Sequence, residues 1–114
     1  MTPFIPQGPS LIVAYADDST DTSVTLDTGA YGVPNCLLVV NPDGANVVAV
    51  NYSFNSLDTN ASIPTSGANG IGTIVGPFGS VLIRLDSNYR TGNLYLSAAG
   101  DTGTGNVYIT PGVI

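Results

Sequence analysis

The stretch Val47-Val48-Ala49-Val50-Asn51-Tyr52-Ser53-Phe54 has the clearest structural pattern in the chain. Successive side chains of a β-strand point to opposite faces, so alternate residues share a face. One face of this stretch would hold only apolar and aromatic side chains, namely Val48, Val50, Tyr52 and Phe54. The other face would hold smaller or polar ones. This alternation predicts a strand with one face in a hydrophobic core.

Seven further short segments are apolar or alternating, and turn-forming residues separate them at intervals of roughly 8–12 residues, a spacing typical of sandwiches and barrels. The eight predicted strands cover residues 11–16, 23–26, 36–41, 47–54, 72–75, 80–86, 93–98 and 106–110. The sequence therefore predicts an all-β fold, a single antiparallel β-sandwich of about eight strands with a jelly-roll-like arrangement.

The composition supports one β domain. The 114 residues fit a single domain, and 43% of them are apolar while 9% are charged, which excludes the composition of a disordered chain. Lysine and glutamate, which suit exposed helix faces, are absent, and fourteen glycines and eight prolines favour turns. We expect residues 10–114 to form the sandwich.

Residues 1–9 contain three prolines, Pro3, Pro6 and Pro9, which prevent a helix and predict an extended N-terminal arm. The arm also contains Phe4 and Ile5. Such an apolar arm is either a frayed terminus or a segment that docks on a neighbouring molecule, and the sequence leaves both alternatives open.

Two strands suggest further contact residues. In strand 80–86, Leu82 is the apolar residue on the outer face. Strand 36–41 begins with an apolar run that does not alternate, which predicts that both faces of this strand are covered, by a neighbouring subunit or by a loop. Tyrosine is common in interfaces, and five tyrosines are candidates for exposed positions: Tyr15, Tyr31, Tyr89, Tyr95 and Tyr108. The predicted partner-binding residues are Phe4, Ile5, Pro6, Leu82 and Tyr108.

The charge pattern argues against two partner classes. The net charge is −6 and the only cations are Arg84 and Arg90, too few to neutralise a nucleic-acid backbone or to favour an anionic membrane. No apolar run approaches the roughly 20 residues needed to span a bilayer. The N-terminus lacks the pattern of a signal peptide, so synthesis in a cytoplasm is expected. Cys36, the single cysteine, is interpreted as a core residue.

Asp27-Thr28-Gly29 resembles the catalytic triplet of aspartic proteases, whose retroviral-type members are dimers of β chains about this long. Two such aspartates would share a proton and activate water. The second signature of that family is missing, because Val81-Leu82-Ile83-Arg84 lacks its glycine, and Asp101-Thr102-Gly103 repeats the triplet in a loop. We interpret both triplets as turn chemistry and predict that the chain is not an enzyme.

Three other features point away from cofactors. The acidic cluster of Asp17, Asp18 and Asp21 lacks a glutamate for bidentate calcium binding and is interpreted as a solvated loop. The glycines of residues 67–76 are followed by no helix and no lysine, so they do not predict a phosphate-binding loop. The stretch 56–70 is interpreted as a surface excursion. No metal or cofactor site is predicted.

Three segments resemble a group of small head-associated proteins of tailed bacteriophages that includes capsid decoration, or cement, proteins. They are Val39-Val40-Asn41-Pro42-Asp43-Gly44-Ala45-Asn46-Val47-Val48-Ala49-Val50, Gly76-Pro77-Phe78-Gly79-Ser80-Val81 and Gly103-Thr104-Gly105-Asn106-Val107-Tyr108-Ile109-Thr110-Pro111-Gly112. The resemblance implies a β-sandwich in the virion that binds the major capsid protein, often as a homotrimer, without catalytic residues. Alternative hypotheses are a carbohydrate- or receptor-binding virion module and the dimeric protease.

Overall fold

The fold is that of a computed structural model, which describes residues 3–6, 8, 10–15, 22–27, 34–53, 61–67, 69–85, 93–101 and 104–114. For residues 22–27 and 93 only the backbone is described. The described residues form nine strands and no helix. The strands are β1 (Ile5–Pro6), β2 (Leu11–Tyr15), β3 (Thr22–Asp27), β4 (Cys36–Val40), β5 (Val48–Ser53), β6 (Thr73–Val75), β7 (Ser80–Arg84), β8 (Asn93–Gly100) and β9 (Gly105–Val113).

The nine strands form two antiparallel sheets. In sheet A, β1 and β2 pair with one edge of β9, β4 pairs with its other edge, and β7 pairs with the far side of β4. In sheet B the order is β3-β8-β5-β6. Each of the eight predicted strands overlaps an observed one, so the predicted all-β sandwich is confirmed. The finer jelly-roll arrangement stays a prediction.

The core lies between the two sheets and is built by strand alternation. In β2, for example, Val13 and Tyr15 are buried while Ile12 and Ala14 are exposed. Burying one valine- or leucine-sized side chain stabilises the fold by about 1.5–3 kcal/mol. The largest members of the core cluster are Tyr15, Leu37, Leu85, Leu94, Leu96, Ile109 and the valines at positions 13, 39, 48, 50, 75 and 107.

The outer face of sheet B is partly covered by the chain itself. Ala49, on the face of β5 opposite Val48 and Val50, is fully buried and packs with Ala61 and Ala99. A bridge between Ser62 and Ile71 holds this covering segment, with each backbone N–H donating to the other residue's carbonyl at 3.0 Å. The described part of stretch 56–70 is therefore not only the predicted surface excursion, because Ala61 closes a small second core.

Part of the predicted N-terminal arm is a strand of sheet A. Ile5 and Pro6 pair with Val113 and Gly112 of the same chain, an arrangement that neither sequence-based alternative included. Strand β9 also continues through Pro111, beyond its predicted end at residue 110. The backbone groups of successive residues in a strand point to opposite edges, and the nitrogen of Pro111 points to the edge that holds β1 and β2. It faces the gap between these two strands, so the missing N–H of proline removes no hydrogen bond of the ladder.

We expect Leu96→Ala to lower the free energy of unfolding by about 2–5 kcal/mol, because Leu96 is fully buried between the sheets and its truncation leaves a cavity. Ile12→Ala is the matched control, since Ile12 is 60% exposed and its truncation leaves no enclosed cavity. Urea unfolding of both variants measures the difference. Equal losses of stability would contradict the described core.

Candidate docking surface on sheet A

The outward face of sheet A presents apolar side chains in adjacent cross-strand rows. The register puts Ile12 opposite Tyr108, Tyr108 opposite Val40, and Leu38 opposite Leu82. We call these five residues, Ile12, Leu38, Val40, Leu82 and Tyr108, the apolar face. Because they lie on hydrogen-bonded strands, their positions are fixed by the sheet rather than by a loop.

The apolar face is accessible to a partner. Ile12 is 60% exposed, Leu82 and Tyr108 are each 41% exposed, and Leu38 and Val40 are half-buried. Arg84 is the one charged side chain described on this side of sheet A, and it lies at a corner, next to Cys36. An exposed apolar patch edged by polar residues is typical of an interaction site.

The structure brings two of the predicted partner-binding residues together. Leu82 and Tyr108 both lie on the apolar face, and β4 separates them. Phe4, Ile5 and Pro6 lie at another part of the same sheet, where β1 pairs with the C-terminal end of β9.

Phe4 packs closely against β9 at Gly112. A Cβ placed on Gly112 would come within 2.5 Å of the Phe4 ring and of the Ile5 carbonyl oxygen, so only glycine fits at this position. Phe4 is half-buried as a result, whereas Ile5 and Pro6 are exposed. Phe4 therefore contributes to the packing of its own domain, and Ile5 is the exposed apolar residue of the pair.

Strand β4 is a central strand, which explains its unalternating sequence. It lies between β7 and β9, with Leu37 and Val39 buried toward the core and Leu38 and Val40 half-buried on the apolar face. In the single chain, the outer side chains of β4 are half-buried rather than enclosed. Cover by a neighbouring subunit stays a prediction.

Cys36 is buried, as predicted, with 1% of its surface exposed. Its thiol donates a weak hydrogen bond to the Gly112 carbonyl at 3.5 Å. Burial raises the pKa of the Cys36 thiol, and the nearby positive charge of Arg84 opposes this only in part. A buried, protonated thiol is a packing group rather than a nucleophile.

At the end of the sandwich next to β5, Asp43 organises the loop that follows β4. Its carboxylate accepts hydrogen bonds from the Ala45 N–H at 2.7 Å, the Asn46 side-chain amide at 2.8 Å and the Tyr15 hydroxyl at 3.0 Å. The Ala45 hydrogen bond, followed by that of Tyr15, lowers the pKa of the Asp43 carboxyl. Tyr15 is 2% exposed, so its interpretation as an interface tyrosine is wrong.

Asn41 ties the same loop to the turn after β6. Its buried side-chain amide donates to the carbonyls of Asn46 at 2.9 Å and Gly76 at 3.1 Å. Its own carbonyl oxygen accepts from the Asp43 N–H at 3.1 Å. The polar groups of this loop are thus engaged with one another, and the loop is a structural element rather than a ligand site.

Phe78 is an exposed aromatic residue that the sequence analysis did not single out. It is 78% exposed and has a φ of 54°, in the turn that the Gly79 N–H closes on the Gly76 carbonyl at 2.9 Å. Glycine or asparagine is preferred at this left-handed position, and another residue costs about 1–3 kcal/mol. The sequence signal was Gly76-Pro77-Phe78-Gly79, in which phenylalanine occupies the usual place of glycine.

The remaining sequence motifs lie largely outside the described residues. This is the case for Thr28, Gly29, the cluster of Asp17, Asp18 and Asp21, and the tyrosines at positions 31 and 89. Asp101 is described, and its carboxylate accepts the Val47 N–H at 3.2 Å, which is a structural role.

Within the described part of the chain there is no group of three potential metal ligands and no pocket. No helix among these residues is long and apolar enough to cross a membrane. The apolar face is therefore the most prominent candidate for a binding surface in the described residues.

Comparisons with known proteins give no match among family models, curated proteins or solved structures. Function is therefore inferred from the surfaces of the molecule itself.

We expect Asp43→Asn to destabilise the protein near pH 7, because the amide cannot accept all the hydrogen bonds that the carboxylate accepts. The folded-state pKa of Asp43 lies below its ordinary value of 3.8. The ionised Asp43 carboxylate therefore makes its full contribution to the free energy of unfolding above pH 3.8. That contribution is lost as the pH falls through the folded-state pKa. Unfolding by urea between pH 2 and pH 7 should show the difference between the two proteins shrinking at low pH. A difference that stays constant would contradict the ionised network.

Proposed function

We propose that this chain is a virion structural protein, a decoration or cement protein that self-associates and binds the outside of a phage capsid. The observation on which the proposal depends is the apolar face, an exposed row of large side chains on a rigid sheet. Burial of such side chains against another protein contributes about 25 cal/mol for each Å² of apolar area removed from water. The shell of major capsid protein is the occupant we propose for this face.

The distribution of charge supports this orientation. The two aspartates whose side chains are described, Asp43 and Asp101, lie at the loop end of the sandwich, where both contact the segment between β4 and β5. The apolar face has Arg84 at its corner instead. A chain of net charge −6 would thus approach the shell with its least acidic described surface, and its acidic loops would keep decorated particles apart.

The strand connectivity is consistent with this class of protein. Successive strands from β2 to β9 alternate between the two sheets, except that β5 and β6 both belong to sheet B. Sheet A thus has the order β2-β9-β4-β7 and sheet B the order β3-β8-β5-β6. This order supports the interpretation as a jelly roll, an architecture used by viral capsid proteins and by lectins. The fold alone does not decide between the two uses.

Binding to an assembled shell explains how such a protein would act without catalysis. A ligand that binds only the assembled state stabilises it by mass action, and many equivalent sites on one shell multiply the effect. The trimeric state implied by the family resemblance belongs to the same proposal.

A carbohydrate- or receptor-binding module is the second candidate, and Phe78 is the observation that favours it. An exposed ring in a strained turn is a suitable platform for stacking against a sugar. For this candidate, saturable glycan binding should be lost in Phe78→Ala and retained in Ile12→Asp.

We expect Ile12→Asp to weaken binding to capsids at least tenfold, because it places a carboxylate at the most exposed position of the apolar face. The assay is co-sedimentation with empty shells assembled from the major capsid protein that we propose as the partner. Ile74→Asp is the matched control, since Ile74 is 45% exposed on the outer face of sheet B. Both variants should keep the far-UV circular dichroism of the original protein.

Two results would contradict the proposal: absence of co-sedimentation for the original protein, and equal binding by the two aspartate variants. Deletion of residues 1–9 is a further arm of the same assay. It should weaken attachment without unfolding the sandwich, because β1 adds only two residues to the edge of sheet A.

A further inference from the structure

We propose that β7 forms a two-fold contact between two copies of this chain, in which their exposed edges pair as antiparallel strands with Leu82 opposite Leu82. The contact uses the backbone edge of sheet A, whereas the shell would bind its apolar face. It rests on the proposed function and adds a two-fold contact to the self-association included there, and it can be tested on the purified protein without a shell.

The backbone groups of β7 alternate between β4 and the outside. On the β4 side, the Gly79 carbonyl accepts the Asn41 N–H at 2.9 Å and the Leu85 N–H donates to the Asn35 carbonyl at 3.0 Å. Odd-numbered residues of β7 thus turn their backbone groups to β4, and Ser80, Leu82 and Arg84 turn theirs away from it. Among the described residues, no strand pairs with that side of β7. The Tyr52 hydroxyl approaches the Arg84 carbonyl at 3.4 Å, which leaves that oxygen a second lone pair.

This edge lacks the features that usually prevent strands from pairing with other molecules, such as proline, a bulge or very short length. Strand β7 has five residues, with no proline or glycine. The other sheet edges with described side chains do have features that hinder pairing. Strand β6 has only three residues and lies between Gly72 and Gly76-Pro77. The edge formed by β1 and β2 is interrupted after Pro6.

The sequence of β7 is compatible with pairing to itself. A two-fold axis at Leu82 places Arg84 opposite Ser80 and Ile83 opposite Val81, so no like charges face each other. With this axis, all three outward-directed residues, Ser80, Leu82 and Arg84, enter hydrogen-bonded positions. Any other axis leaves at least one of them unpaired. A second copy is therefore the partner that fits the edge, in an isologous contact.

The apolar face also favours this arrangement. Leu38 and Leu82 are cross-strand neighbours, so pairing about Leu82 would continue their row as Leu38-Leu82-Leu82-Leu38 across both copies. Leu82, 41% exposed in the single chain, would gain an apolar neighbour where its own sheet now ends. Cross-strand apolar contacts of this kind stabilise a sheet.

Cysteine substitution tests the register directly. In the paired strands, the two Cα atoms at position 82 would lie about 5.5 Å apart, which permits a disulfide. Mild oxidation should therefore convert Leu82→Cys to a covalent dimer on non-reducing electrophoresis. Ser80→Cys and Arg84→Cys should each stay monomeric in that assay and should form the cross-linked dimer when mixed. The original protein is the control, because Cys36 is buried.

Charge substitution tests the same register without a covalent bond. Ser80→Glu should tighten the dimer, because each new carboxylate faces Arg84 of the other copy, and Ser80→Arg should weaken it. Two such cross-strand pairs correspond to about a two- to thirtyfold change in the dissociation constant. Analytical ultracentrifugation measures it, at low and high salt.

Three results would overturn the proposal. They are a protein that is monomeric at all concentrations, failure of Leu82→Cys to cross-link while it remains folded, and equal dissociation constants for the two Ser80 variants. If the protein forms a trimer through another surface, the two-fold contact of β7 would join trimers into hexamers. In that case the Ser80 variants must change the proportion of hexamers, and an unchanged proportion would overturn the proposal. Failure of capsid binding alone would leave these results unchanged.

Discussion

The pairing of β9 with strands on both of its edges is the constraint on which the rest of the molecule depends. One edge of β9 holds β1 and β2, from the beginning of the chain, and the other holds β4, which in turn holds β7. The register of β9 therefore determines which side chains of four other strands face outward. Because the side-chain period of a strand is two, a shift by one residue would bury Tyr108 and expose Ile109.

Two kinds of surface follow from this register. Five outward side chains of β2, β9, β4 and β7 form the apolar face, and β7 ends the sheet with an edge that no described strand pairs. The described aspartates are engaged at the loop end, where Asp43 holds the β4–β5 loop and Asp101 accepts the Val47 N–H. The described residues thus combine an apolar face on a rigid sheet with two aspartate side chains placed elsewhere, an arrangement suited to the proposed attachment.

The strands were predictable because their sequences alternate and the turn residues between them are strong signals. Leu82 was correctly placed on an outer face for the same reason, and Tyr108, a candidate for an exposed position on residue type alone, is 41% exposed. Tyr15 was wrongly included among the candidates for exposed positions, because it shares the inward face of β2 with Val13 and its hydroxyl reaches Asp43. The burial of Ala49 depends on residue 61, which returns over it, and strand periodicity does not report such a contact between distant segments.

The short strand β1 was missed because prolines normally argue against a ladder position. Ile5 and Pro6 nevertheless fit the edge of β9, where Gly112 has no side chain to obstruct Phe4. The joining of Ile12 to Leu82 and Tyr108 in one face also required the register, since these residues lie in three different strands. Their spatial order does not follow from their spacing along the chain.

A cryo-electron microscopy reconstruction of the shell with this protein bound is the decisive measurement for the proposed attachment. We predict that sheet A faces the shell, with Ile12 and Tyr108 at the contact and Ile74 of sheet B toward solvent. A map in which sheet B or the loop containing Phe78 contacts the shell, while the apolar face lies open to solvent, would contradict it.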